Sequence, residues 1–382
     1  MNAFRLPTNV CFDENALDKL CEYKNLNAVI FTDHFMVKNG VAEVIKRKLK
    51  GCNSVRIFGE VEPDPPIELV AEGLEFLLKA DADIVVALGG GSSIDAAKAV
   101  ILMAKRSGQK QDIKLIAIPT TSGTGSEVTM FSVITDRTTG VKYPLIDEEL
   151  LPDVAILDPE LVRTAPPHIT ADTGFDVLTH ALEAYISTAA NDFSDALAEK
   201  ALELAFEALP LAYKDGDDIV ARDKMHKASC LAGMSFNIGS LGVNHGIAHA
   251  LGAKFHIPHG RANAMLLSHV MRHNADLPLG FSPSSDSYTT AAKKLAKIAY
   301  RIGIRSTSIK HSVNAFCDYI LALGRTCGIP ETLADVNVSE KDYLSVKEAI
   351  ITSALNDACT ATNPREMTRE SIEEILQNIA RY

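Results

Sequence analysis

The run Ile84-Val85-Val86-Ala87-Leu88-Gly89-Gly90-Gly91-Ser92-Ser93-Ile94-Asp95-Ala96-Ala97-Lys98 decides the fold. Five apolar residues without polar alternation predict a strand covered on both faces, as in a parallel sheet. Three glycines then give way to small residues, so the strand passes through a tight turn into a helix. A glycine turn at a helix N-terminus exposes backbone N–H groups with no Cβ in the way, and the helix dipole favours an anion there. A diphosphate is therefore one reading of residues 89–95. The other is a strand-to-helix turn that binds nothing, because G-G-G-S lacks the G-x-G-x-x-G spacing.

The flanking sequence repeats the alternation of strand and helix. Residues 27–33 (N-A-V-I-F-T-D) predict a strand ending in Asp33, followed by a helix to Lys50. Residues 54–58 predict a second strand, and the proline-rich 62–66 introduces a helix over 67–80. Residues 114–119 supply a strand after the glycine segment, and a hairpin is expected around Arg137-Thr138-Thr139-Gly140 before residues 154–159 return to the sheet. Such alternation implies βαβ units, so residues 1–160 are expected to form an α/β domain with a Rossmann-like parallel sheet. The loop T-T-S-G-T-G-S-E at 120–127 is rich in hydroxyls and follows the strand next to the glycine turn, so the two loops together suggest a dinucleotide. Asp33 stands where an acid accepts hydrogen bonds from an adenosine ribose and repels a 2′-phosphate, favouring NAD over NADP. It stands equally well as a helix N-cap.

Beyond Pro166-Pro167 the composition turns to Ala, Leu, Glu and Lys with helical periodicity as far as Tyr382, so residues 161–382 are expected to form an all-α domain. In G-F-D-V-L-T-H-A-L-E-A-Y (174–185) Asp176 and His180 are four apart and leave one helix face together. His245 and His249 repeat the spacing, and Ile257-Pro258-His259-Gly260 turns another imidazole back. A lone histidine at helical spacing is more often a core or surface residue, but one carboxylate and up to four imidazoles within 84 positions suggest a metal site. Imidazole-rich donors select zinc, iron, copper or nickel over calcium or magnesium.

The composition is that of an ordinary globular protein: 382 residues, 47% hydrophobic and 23% charged. A formal charge of -11 and the lack of a Lys/Arg block argue against nucleic acid and anionic membranes as partners and leave small molecules. No apolar run approaches the ~18 residues of a membrane span, and M-N-A-F-R-L-P-T-N-V lacks the pattern of a secretory leader. Seven scattered cysteines with no C-x-x-C pair fit free thiols in a reducing compartment, so a cytoplasmic protein is expected.

With these segments in hand, the chain resembles the iron-containing (group III) alcohol dehydrogenase family over essentially its whole length. The resemblance rests on G-G-G-S-S-I-D (89–95), I-P-T-T-S-G-T-G-S-E-V-T (118–129), G-F-D-V-L-T-H-A-L-E-A-Y (174–185), H-G-I-A-H-A-L-G (245–252) and P-H-G (258–260), in that order. It implies Asp176, His180, His245 and His259 as metal ligands, with His249 near the reacting carbon rather than on the metal, where it is the candidate catalytic proton relay. It implies Asp33 on the adenosine ribose, Gly90, Gly91 and Ser92 on the diphosphate, and Thr120, Thr121, Thr124 and Lys142 along the cofactor. Asp64 departs from the pattern, since several relatives carry a cofactor-binding Asn there.

The implied activity is metal-dependent interconversion of small primary alcohols and aldehydes with NAD(H) and Fe2+, with Zn2+ as the alternative metal. Within the family, E-P-D-P-P and the spacing look most like the short-chain dehydrogenases of propanediol and ethanolamine utilisation, which implies a homo-oligomer, dimer or larger, housed in a bacterial microcompartment. A lactaldehyde, diol or other polyol reductase of the same family is the nearest alternative. A non-catalytic assembly partner that keeps only the fold is the alternative from another class, and turnover of NADH with an aldehyde separates the two. Glycerol dehydrogenases and dehydroquinate synthases resemble the chain more distantly, with one carboxylate and two histidines.

Overall fold

The computed structural model describes residues 5–138, 141–279 and 287–382. Residues 139 and 140 at the tip of the expected hairpin, residues 280–286 and the first four residues lie outside the described residues. The apolar runs of the first part become strands β1 (Asn9–Phe12), β2 (Asn27–Asp33), β3 (Ser54–Val61), β4 (Ile84–Gly89), β5 (Lys114–Pro119), β6 (Phe131–Asp136), β7 (Val141–Ile146) and β8 (Val154–Leu157). Helices α1 (His34–Lys38), α2 (Val41–Lys48), α3 (Ile67–Lys79) and α4 (Gly91–Arg106) connect them. The single helix expected after β2 is two, because Gly40 takes a left-handed φ of +78° between them.

Six strands form a parallel sheet in the order β1-β8-β5-β4-β2-β3, while β6 and β7 pair as a separate antiparallel hairpin. Alternate residues of the strands serve two cores. Val29, Phe31, Val85, Ala87, Leu115 and Ala117 pack with α3 and α4, and Ala28, Ile30, Ile84, Val86, Leu88 and Ile116 pack with α2. This two-sided burial is why the strands read as unbroken apolar runs. Each fully buried Ile, Val or Leu contributes about 1.5–3 kcal/mol as an upper estimate. From β2 the chain steps to β3 on one side, then crosses to β4 on the other, so the loops after β2 and β4 diverge and leave a crevice at the strands' carboxyl ends. Asp33 and Gly89–Gly91 flank that switch point.

The chain divides into two units, Met1–Ala165 and Pro166–Tyr382. The second is helical: α5 (Pro167–Ile186), α6 (Asp192–Lys214), α7 (Ile219–Gly239), α8 (Val243–Phe255), α9 (His259–Ala275), α10 (Thr290–Arg301), α11 (Ile309–Thr326), α12 (Glu340–Asn356) and α13 (Arg369–Ile379). α5 is buried almost all round, against α6, α7 and α9, which explains its small and apolar residues on every face. α8 lies between α9 and α12. No helix among the described residues is long and apolar enough to cross a membrane.

Candidate metal centre and cofactor cradle

Asp176, His180 and Glu183 share one face of α5, at positions i, i+4 and i+7. His245 and His249 share a face of α8. His259 is the first residue of α9 rather than part of a free turn; the left-handed His256 (φ 54°) ends α8, and Pro258 precedes the new helix. Gly260 lets this helix start against α5, since a Cβ there would stand 2.1 Å from the carbonyl oxygen of Asp172. Beside it Arg261 donates from Nε (3.1 Å) and Nη2 (2.9 Å) to the two carboxylate oxygens of Asp172, a paired geometry that fixes the start of α9.

These elements bring together Asp176, His180, His245 and His259, with one donor atom from each lying within 4.8 Å of all the others. His259 Nε2 is 3.4 Å and His245 Nε2 4.0 Å from Asp176 Oδ1. Donors about 2.0–2.2 Å from a common ion stand apart by that order. The rings of His180 and His245 stack with centroids 4.8 Å apart. Burial, then the neighbouring histidines, hold His245 well below the usual histidine pKa, in the neutral form whose lone pair coordinates.

Outer partners set the tautomers. Glu183, fully buried, lies 2.6 Å from His245 Nδ1 and accepts the backbone N–H of Asn244 at 2.7 Å. A carboxylate on Nδ1–H leaves Nε2 as the donor facing the cluster and raises its basicity. Burial pushes the Glu183 carboxyl up, while the backbone N–H groups of Asn244, Gly242 and His245 pull the other way, toward the carboxylate that His245 Nδ1–H calls for. The Asn263 amide nitrogen donates to Asp176 Oδ1 at 2.8 Å and lies 3.3 Å from His245 Nε2 and 3.2 Å from His259 Nε2, so three of the donor atoms face one point. Asn244 holds that amide by donating to Asn263 Oδ1 at 2.9 Å. One carboxylate and three imidazoles oriented in this way, all buried except the partly exposed His259, fit a divalent transition metal.

His249 stands beside this set. Its ring stacks on His259, with centroids 5.2 Å apart and planes 16° apart, and its Nδ1 lies 2.8 Å from Asp357 Oδ2. Burial alone would raise the Asp357 carboxyl, but His249 and the backbone N–H of Cys359 hold it below the usual range. Asp357 therefore fixes the imidazole with Nε2 outward. Glu183, Asn263 and Asp357 received no role from the sequence. Glu183 had a signal, falling on the same helix face as Asp176 and His180, whereas Asp357 is 108 residues from His249 and no spacing rule links them.

In the first unit, Gly90 caps α4 and Gly91 begins it, so the N–H groups of Gly91 and Ser92 lie in the first turn, where no intrahelical acceptor exists. A Cβ on Gly91 would stand 2.8 Å from the Thr124 methyl, and Thr120 N–H donates to Gly89 O at 3.0 Å, so the two expected loops are in contact. Thr121 faces Gly90 across the same gap. Asp33 fulfils the capping reading, its Oδ1 accepting from Met36 N–H at 2.9 Å, while Oδ2 reaches over Gly89. Lys142, on β7, donates to Asp64 Oδ1 at 2.6 Å. Both partners are exposed, so this pair is worth about 0–1 kcal/mol and can open to another anion.

The model of "Iron-containing alcohol dehydrogenase" matches residues 7–159, and that of "Fe-containing alcohol dehydrogenase family, C-terminal" matches residues 170–380. The chain is 42% identical to 1-propanol dehydrogenase PduQ of Salmonella typhimurium, over 99% of this chain and 100% of that one. It is 37% identical to NADPH-dependent butanol dehydrogenase of Clostridium saccharobutylicum, over 99% and 97%. The crystal structure of sulfoacetaldehyde reductase from Bifidobacterium kashiwanohense in complex with NAD+ superposes with a TM-score of 0.85 at 28% identity, covering 100% of this chain and 99% of that one.

Proposed function

The chain belongs to the iron-containing alcohol dehydrogenase family, and from that premise we propose that it interconverts small primary alcohols and aldehydes by hydride transfer with NAD(H), using iron(II) as its metal. The observation that carries this reading is the convergence of Asp176, His180, His245 and His259, braced by Glu183 and Asn263. A divalent ion bound there supplies a Lewis acid for the alcohol or carbonyl oxygen.

The chain's own residues do the rest. Asp357 accepts Nδ1–H of His249, leaving Nε2 basic, and the half-exposed ring moves a proton between the substrate hydroxyl and solvent. The first-turn N–H groups of Gly91 and Ser92 take the diphosphate, with Thr120, Thr121 and Thr124 opposite. Asp33 Oδ2 accepts ribose hydroxyls and repels a 2′-phosphate. Lys142 exchanges Asp64 for the cofactor. Because one relative is named as NADPH-dependent, both coenzymes belong in the assay.

The test is a panel of C2–C4 aldehydes with NADH or NADPH under anaerobic, iron-loaded conditions. Turnover of propanal and its neighbours with NADH is expected, and no turnover of any aldehyde sinks the reading. Better turnover of lactaldehyde or a diol would move the substrate to the alternative named above. The same reading extends to a homo-oligomer housed in a microcompartment, supported by the likeness to a propanol dehydrogenase. A monomer on a sizing column, or absence from purified shells, would remove that extension.

A further inference from the structure

Lys98 is a buried cation for which the reaction has no use. It lies in the second turn of α4 with no exposed surface. Its ammonium donates to the carbonyl oxygens of Thr129 (2.7 Å) and Phe131 (2.8 Å) and to Ser126 Oγ (3.0 Å), which occupies all three N–H groups. One turn earlier Asp95 completes the joint. Its Oδ1 accepts from Ser126 Oγ at 2.7 Å, its Oδ2 accepts from Val133 N–H at 3.0 Å, and its backbone carbonyl accepts from Ser132 Oγ at 2.8 Å. The first turns of α4 are thus tied at several points to residues 126–133, which run from the end of the hydroxyl loop onward.

Burial is expensive for such a charge. It pushes Lys98 down to about 8, against the opposing pull of Asp95 and Glu127. Replacing a whole buried ionic cluster by apolar residues is often neutral or stabilising, whereas removing the lysine alone would strip Asp95 and Glu127 of their nearby positive charge. Such a buried polar cluster can specify one geometry without adding stability. Here the geometry it specifies is the gap between two loops that meet at Gly91 and Thr124, where a Cβ would already be too close.

We infer that Lys98, together with Asp95 and Ser126, is the positioning device of the dinucleotide cradle, setting the distance between the glycine turn at 89–91 and the hydroxyl loop at 120–124. It touches no cofactor atom, and it rests on the reading of these loops as the diphosphate site. An N–H donor serves a diphosphate only when held within a fraction of an ångström of its place, so a cradle with one wall loosened binds more weakly.

The experiment uses the iron-loaded enzyme and its Lys98→Met, Ser126→Ala and Gly91→Val variants. NADH affinity is read from nicotinamide fluorescence, alongside KM for each substrate, kcat, iron content and melting temperature. Lys98→Met is expected to raise Kd and KM for NADH about tenfold, equivalent to about 1.4 kcal/mol, with kcat, aldehyde KM and iron content held. Ser126→Ala should move the same quantities in the same direction by less, and it decides the matter if the lysine variant does not fold. Normal NADH affinity in both, with Gly91→Val abolishing binding, would overturn the role of Lys98 and leave the cradle standing. Normal affinity in Gly91→Val would overturn the cradle and this inference with it. A fall in kcat and melting temperature at unchanged KM would reduce the cluster to a fold element and also overturn the inference.

Discussion

His249 and His259 stack on one another, yet their loss should have different consequences. His259 shares a donor cluster with the Asp176 carboxylate, whereas His249 is tied to Asp357. His259→Ala is expected to lose iron and activity while the protein remains folded, because the side chain is partly exposed and leaves no apolar cavity. His249→Ala should keep its iron and lose turnover. Metal analysis that finds equal iron loss in both would sink the division of roles. Glu183→Gln tests the outer partner: the hydrogen-bonded brace on His245 weakens, and iron affinity should fall roughly 10–100-fold by chelator competition, with little change in fold. Unchanged affinity would make Glu183 a buried acid without a part in metal binding.

Single elements carry the next level. β2 ends in Asp33, which caps α1 with one oxygen and reaches over Gly89 with the other, so the observed cap leaves an oxygen for the proposed ribose contact. The substitutions separate them. Asp33→Asn keeps a capping side chain and removes the charge, so stability should hold while NADPH becomes usable. Asp33→Gly should also relax the coenzyme preference, at a cost of a few tenths of a kcal/mol when Gly replaces the cap. Equal use of NADH and NADPH by the unaltered enzyme would show that Asp33 does not select. For the α5–α9 contact, Gly260→Ala drives a Cβ into the Asp172 carbonyl and should cost about 1–3 kcal/mol or more, with loss of iron as α9 shifts. A normal melting temperature would contradict the close approach.

What was legible at this level follows from periodicity. β4 and the glycine turn read directly, because two-sided burial leaves an unbroken apolar run. The break between α1 and α2 did not, since one glycine in a helical pattern is compatible with either outcome. Asp176, His180, His245 and His249 declared themselves by i, i+4 spacing. Asp357 did not, because it meets His249 across 108 residues of sequence, whereas Asn263 stands at i+4 from His259 on α9 and offered the same spacing signal.

For the whole molecule, the arrangement separates tasks between a parallel sheet suited to a dinucleotide and a helical unit whose buried donors suit a metal. The donor set explains an expected fragility. One carboxylate and three neutral imidazoles hold iron(II) less tightly than a later first-row metal, so aerobic or chelator-treated preparations should be folded and largely inactive. Circular dichroism beside activity checks this: loss of helical signal together with activity would mean that metal holds the fold rather than serving the reaction.

The most direct test of the account is to strip the protein of metal and assay it under nitrogen with NADH and propanal, after adding iron(II), zinc or nothing. The account predicts negligible turnover in the stripped sample and recovery with iron(II), saturating near one ion per chain and abolished by His259→Ala. Full activity in the metal-free sample would contradict metal-dependent hydride transfer altogether, and greater activity with zinc would overturn the choice of metal while leaving the four ligands in place.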